Sequence, residues 1–176
     1  PSPPALPSRT RLEVSRVRGQ VTTDDLSPAR DAPTRPDSPL HSLTLGATRF
    51  PGGRQAMEQI RKNAAKSGAF PVFVCDVLGT GSSRKSATNS LMWVLGKDFA
   101  GIPNKRVMGI VIAGRIAPIF YTSFRDAGGL PIIADISKLE TNTLIHLNLH
   151  ADQGKGTITT FGGDNELVSF DFPPVL

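Results

Sequence analysis

Apolar positions along this chain change period several times, and each change predicts an element. Leu12, Val14 and Val17 alternate roughly with charged neighbours, which predicts a strand over Leu12–Val21. Residues 22–40 carry polar residues and Pro28, Pro33, Pro36 and Pro39, which predict a long loop, a kind of segment that often carries function. Ala56, Ile60 and Ala64 share one helical face, so Arg54–Lys66 is predicted as a helix with Gly68 as its stop. The run Phe70–Leu78 is apolar enough for a strand buried on both faces. From Arg84 the period becomes helical, with Ala87, Leu91, Val94 and Leu95 in one stripe and Gly96 at the end. A strand over Val107–Ala113, a helix over Pro118–Ala127 with Pro in its first turn, and a strand over Leu130–Ile136 follow. Beyond residue 140 only short strands around Gly-rich turns are predicted, at 144–149, 156–161 and 167–172. The pattern is an α/β unit followed by an antiparallel β section, without internal repeats.

Composition narrows the class. The chain has 176 residues, suited to one domain, and its 39% hydrophobic content supports a packed core. Residues 1–10 are Pro- and Ser-rich and read as a disordered tail or linker, leaving 11–176 as the domain. No apolar run is long enough for a transmembrane helix, and no membrane partner is expected. The first residue is Pro, so the chain reads as a fragment or processed product. A cytoplasmic location is expected, with an organelle as the alternative if the Pro/Ser/Arg-rich start is a targeting remnant. Twenty Lys and Arg against 15 Asp and Glu give a formal net charge of +5, which fits a basic surface, nucleic acid, an acidic partner or a polyanionic substrate. One Trp and one Tyr argue against a stacking platform for single strands.

Cys75 is the single cysteine, which excludes a disulfide within the chain and, from its apolar surroundings, reads as a buried structural thiol. One thiolate cannot hold an iron–sulfur cluster. His41, His146 and His150 show no ligand spacing, so no metal site is expected within the chain.

The densest chemistry lies between the buried strand and the helix after it, in Gly79-Thr80-Gly81-Ser82-Ser83-Arg84-Lys85-Ser86. Such a turn aims free N–H groups and the positive end of a helix dipole at one point. A dinucleotide fingerprint needs a small residue where Arg84 stands. A nucleotide-binding P-loop is matched by Gly79, Lys85 and Ser86, and Leu130–Asp135 imitates the strand that ends in an acidic residue; Arg84 again replaces a required glycine. The third reading is an anion site in which an arginine fork grips a carboxylate and a serine is poised as a base. Against it stands a plain Ser-rich helix cap, with Ser82 or Ser83 capping the helix that starts near Arg84.

These residues resemble the aconitase family. Residues 79–90, GTGSSRKSATNS, look like the active-site turn of the aconitase swivel domain, and the Lys-Ser-Ala-Thr-Asn-Ser continuation is similar to the aconitase B type. VTTDDLSPA at 21–29, TRPDSPLH at 34–41, NKR at 104–106, GRIAPIF at 114–120 and DAGGLPI at 126–132 are similar to further family segments in the family's order. The resemblance runs from about Gly19 to about Ile136. Asp25 stands where many aconitases have His, and the stretch between Arg35 and Phe70 is short for the aconitase B type.

The resemblance implies a swivelling β/β/α domain and citrate–isocitrate interconversion through cis-aconitate. It implies Ser82 as the base that moves the carbon-bound proton. Ser82, Ser83, Arg84 and Arg35 become substrate-binding residues, and Asp24 a catalytic residue. The partner substrate is a tricarboxylate. The cofactor is a [4Fe-4S] cluster whose cysteines lie in other domains, so a cluster-bearing catalytic region must come from the same longer chain or from a partner subunit, and this chain alone should be inactive. Three alternatives stay open: the small swivel subunit of another hydroxy-acid dehydratase such as isopropylmalate isomerase, an RNA-binding module, since aconitase relatives can bind RNA without their cluster, and the P-loop-like nucleotide-binding domain.

Overall fold

A computed structural model of the chain describes residues 8–26, 54–81, 85–98, 106–141 and 143–171. Its elements are β1 (Arg9–Thr22), α1 (Thr23–Leu26), α2 (Arg54–Lys66), β2 (Phe70–Thr80), α3 (Lys85–Leu95), β3 (Lys97–Asp98), β4 (Arg106–Val107), β5 (Ile110–Ile116), α4 (Pro118–Asp126), β6 (Leu130–Ile133), β7 (Leu144–His150), β8 (Lys155–Thr160) and β9 (Glu166–Asp171). Seven strands form one sheet in the order β6-β5-β2-β1-β7-β8-β9. β1, β2, β5 and β6 run parallel. β7, β8 and β9 continue the sheet antiparallel from β1.

The sheet buries its two faces differently. On one face Phe73, Cys75, Val111 and Ala113 meet Leu91, Val94 and Leu95 of α3 and Phe120 and Phe124 of α4. The two phenylalanine rings stack with centroids 5.9 Å apart. On the other face Leu12, Val14, Val72, Val74, Ile110, Ile112 and Ile132 share a cluster with Ile145, Leu147, Ile158 and Phe170 of the antiparallel strands. That one cluster takes side chains from both ends of the sheet, so the sheet curls and covers its own second face, and the edge strands β6 and β9 come into contact. β2 is buried on both sides because helices cover one face and the curl covers the other. This explains its apolar run from Phe70 to Cys75.

The carboxyl ends of the parallel strands are bent together. Phe73 and Cys75 face the helices, and so does Leu78 three positions on; Val111, Ala113 and Ile116 repeat the slip on β5. β1 shifts register between Val17 and Gln20 at the same level. At this line the Gly19 N–H donates to Asp76 Oδ2, and a Cβ on Gly114 would lie 2.9 Å from the Asp76 carbonyl oxygen. Such bulges re-aim strand ends, here toward the helix side of the sheet.

Arginines close the C-termini of α2 and α3. Arg61 donates to the carbonyls of Val94, in the last turn of α3, and Gly96, just past it, at 2.5 and 2.9 Å. Arg106 donates to the Trp93 carbonyl and lies 3.8 Å over its ring. Arg11 donates to Ser67 O at 2.8 Å, just past α2. Each guanidinium pairs orphan carbonyls at the negative end of a helix.

Several boundaries differ from those read in the sequence. Thr23–Leu26, expected as loop, forms a helical turn. The predicted strand over Val107–Ala113 is broken at Met108, whose φ is 64°; β4 before the break pairs with β3 in a separate sheet, and β5 runs on to Ile116. The strand expected to reach Ile136 ends at Ile133. β1 begins at Arg9 and Thr10 is buried, so the ordered sheet starts two residues before the domain start read at residue 11. The two-part α/β-then-β organisation stands as expected.

Candidate active site

The site is assembled at the carboxyl ends of β1, β2 and β5, where ligands of open α/β sheets commonly bind. β1 ends in a reciprocal cap: the Thr22 N–H donates to Asp25 Oδ2 at 3.0 Å and the Asp25 N–H to Thr22 Oγ1 at 3.1 Å. This is a capping box with Asp in the third helical position, and it holds α1 as a fixed turn. Asp25 therefore serves as a cap in this chain. The cap leaves Thr23 facing inward, 2% exposed.

β2 ends in two left-handed glycines. Gly79 has φ 84°, and a Cβ there would lie 2.4 Å from Cβ and Cγ of Phe120. Only glycine lets the strand end press against the first turn of α4. Gly81 has φ 100°, and its Cβ position lies 3.2 Å from Thr23 Oγ1. α3 begins four residues later, at Lys85.

These pieces enclose a cleft of about 120 Å³. Gly79 and Gly81 form one wall, Thr23 and Thr88 another, and Ala117, Pro118, Ile119 and Phe120 at the start of α4 close it, with Ser123 beside them. Pro118 stands in the first turn of α4 and no side chain caps that terminus. Neither α3 nor α4 has an acidic residue in its first turn. Two helix amino ends thus border the cleft with no carboxylate of their own, which favours an anion.

Asp24 lies on α1 next to Thr23, so the backbone brings it to this end of the sheet; its side chain is outside the described part of the structure. Ser82, Ser83, Arg84 and Arg35 also lie outside the described residues. Gly81 and Lys85, which bracket Ser82–Arg84, are both placed, and Gly81 lines the cleft. Thr23, Thr88 and the start of α4 were not singled out in the sequence. The signals present were a Thr-x-x-Asp cap pattern at 22–25 and a helix opening with Pro and no cap before it. Neither says that residues 23, 88 and 118 meet.

Asp135, the acid of the imitated P-loop partner strand, is committed to a turn. Its Oδ1 accepts the Ser137 N–H at 3.0 Å, and this bond holds its carboxyl below the usual range. It is exposed and does not line the cleft. A second shifted group among the described residues, His146, lies on β7. Burial, then the nearby Arg9 charge, push its imidazole below the ordinary value, with Asp164 opposing.

Cys75 has no exposure and sits mid-strand among the helix-facing apolar side chains. Among the described residues no group of three His, Cys, Asp or Glu could hold a metal. These residues do not fit as ligands of a [4Fe-4S] cluster, which needs three or four converging thiolates.

Comparison with known proteins identifies the family and the fold. The family model described as aconitate hydratase 2 N-terminus matches residues 12–175, reaching past Ile136 through the antiparallel strands. Aconitate hydratase B of Synechocystis sp. is 42% identical over 165 residues, covering 90% of this chain and 18% of the relative. The protein of that name from Helicobacter pylori is 46% identical over 162 residues, covering 92% and 18%. The one from Pseudomonas aeruginosa is 47% identical over 150 residues, covering 81% and 17%. The chain thus spans less than a fifth of the length of these relatives. Among solved structures, 3-isopropylmalate dehydratase (LeuD) of Methanocaldococcus jannaschii superposes with a TM-score of 0.56 at 23% identity, covering 96% of this chain and 84% of that one. This second likeness is one of fold.

Proposed function

The chain belongs to the aconitate hydratase 2 N-terminal family, and from that membership we propose that it supplies the proton-transfer and carboxylate-binding half of a citrate–isocitrate hydratase site. Ser82 is the base that takes the carbon-bound proton. Ser83 and Arg84 bind substrate beside it, Arg35 holds a substrate carboxylate, and Asp24 acts from α1. What supports this reading is where the chain neighbours of Ser82–Arg84 stand: Gly81 lines the cleft and Lys85 opens α3. A serine hydroxyl is a weak acid, so its alkoxide needs a positive, water-poor setting. A helix amino end, backbone N–H groups and an adjacent guanidinium supply one.

A tricarboxylate carries three negative charges at neutral pH, and two arginines with two helix termini answer them. The [4Fe-4S] cluster of the complete enzyme takes its ligands from a catalytic region outside this chain, either on the same longer polypeptide or on a partner subunit. Cytoplasmic residence completes the proposal.

The test is kinetic. In the enzyme that contains this chain, Ser82→Ala should lower kcat by three or more orders of magnitude with little change in KM. Arg35→Ala and Arg84→Ala should chiefly raise KM. Interconversion of citrate and isocitrate by the 176-residue chain alone, or full activity of Ser82→Ala, would overturn the reading.

A further inference from the structure

We infer that Thr23, Thr88 and the amino end of α4 form a second carboxylate subsite, distinct from the Ser82–Arg84 turn. The inference rests on the proposed function, because the ligand is another carboxylate of the same polycarboxylate substrate.

Thr23 and Thr88 are 2% and 1% exposed, and neither Oγ1 has a hydrogen-bond partner among the described residues. Buried hydroxyls are normally paired, and an unpaired one in a native interior calls for an explanation. Among the described residues four buried side-chain atoms are unpaired in this way; these two line the cleft, while Thr10 Oγ1 and Arg16 Nε do not. Two orphan hydroxyls from α1 and α3 on one small cleft suit a shared ligand better than two separate defects.

The third wall indicates the ligand's charge. Pro118 has no N–H, the Tyr121 N–H is taken by the Ala117 carbonyl, and no side chain caps α4. The N–H groups of Ile119 and Phe120 are the orphan donors left in that first turn. The cleft therefore offers two hydroxyls that can donate and two amides that can only donate, at the positive end of a nine-residue helix. A carboxylate, with two oxygens and no proton, matches four donors. Its size fits a cleft of about 120 Å³, which is small for a whole tricarboxylate. Gly81 keeps this subsite open beside the turn, since a Cβ there would crowd Thr23 Oγ1.

The probe is tricarballylate, which has three carboxylates and no hydroxyl to eliminate. It is titrated into the chain with backbone amide resonances as readout. The Ile119 and Phe120 amides should shift together with Gly81. Thr23→Val and Thr88→Val each keep the side-chain volume, and each should raise the dissociation constant about tenfold or more and quiet the Ile119 and Phe120 responses. Thr88→Ser should restore both, which a packing role for the methyl group would not. Arg84→Ala should weaken binding yet leave those two amides responsive at higher concentration.

The outcomes separate the two claims. Binding that depends on Arg84 while Ile119 and Phe120 stay still overturns the subsite and leaves the serine–arginine reading standing. Responsive Ile119 and Phe120 with no effect of Arg84→Ala supports the subsite and counts against that reading. Equal responses to sulfate, or no binding at millimolar tricarballylate, overturn the carboxylate subsite; the Ser82→Ala kinetics still judge the serine–arginine reading.

Discussion

The parallel and antiparallel halves of this sheet share one core but treat their polar groups in opposite ways. In the antiparallel half the face away from the curl is knitted together. Asn148 donates to both Thr157 and Thr159, Arg9 pairs with Asp164 at 2.5 Å and donates to His146 at 2.8 Å, and Arg11 lies 4.6 Å over the Phe161 ring. At the carboxyl ends of the parallel strands lie two of the four buried side-chain atoms that have no partner among the described residues, Thr23 Oγ1 and Thr88 Oγ1, beside a helix terminus that no side chain caps. A polar group left unpaired in an interior lowers stability, and two such groups sharing one cleft mark a place that a ligand can complete. The contrast separates a scaffold from a site.

Matched glycines break or sharpen that contrast most strongly. Gly79 and Gly156 both lack room for a Cβ, which would sit 2.4 Å from a phenylalanine ring in each case. At Gly79 the obstacle is the backbone end of Phe120 and φ is 84°; at Gly156 it is the far edge of Phe170 with no left-handed strain. Gly79→Ala should cost about 3–4 kcal/mol, adding left-handed strain to overpacking, and should abolish activity of the complete enzyme. Gly156→Ala should cost about 1–3 kcal/mol and leave kcat within a few-fold. Denaturant midpoints with kinetics on both variants check this; equal losses of activity would erase the distinction between the halves.

A smaller effect concerns pH. His146 is held below its ordinary value of 6.5 mainly by burial and then by Arg9. The unfolded chain therefore binds the proton more readily, and stability should be full above about pH 6.5 and fall as pH drops below it. Urea midpoints between pH 7.5 and 5.5 should decline in the parent, and His146→Gln should flatten that slope. A midpoint that rises on acidification would contradict the assignment. The smallest effect is at the exposed Lys155–Asp171 pair, 3.4 Å apart on β8 and β9. Lys155→Ala should change stability by less than about 0.5 kcal/mol, because solvent screens such pairs.

Much of the scaffold was legible in the residue pattern. The Arg54–Lys66 helix agrees in both bounds, and the Pro118 helix agrees within one residue. Both have a repeating apolar face with a Gly or Pro boundary signal, which are local effects. The predicted Val107–Ala113 strand missed its break, because the left-handed position there is held by Met108 rather than by a glycine. The loop expected at 22–26 folded as α1 because its cap is Asp25 reaching back to Thr22, a contact the polar composition conceals.

By itself the sequence determined the period of each long element, the single buried thiol and the order of motifs that resembles the aconitase family. These follow from spacing along one chain, where side-chain periodicity and backbone restrictions act over a few residues. Tertiary structure alone decided that the sheet covers its own second face, that three strands slip alternation at one level, and that Thr23, Gly79, Thr88 and Ile119 meet around one cleft. Residues 23 and 119 are almost a hundred positions apart in sequence. Parallel pairing of β1, β2 and β5 brings their carboxyl ends together, and no local propensity encodes that distance.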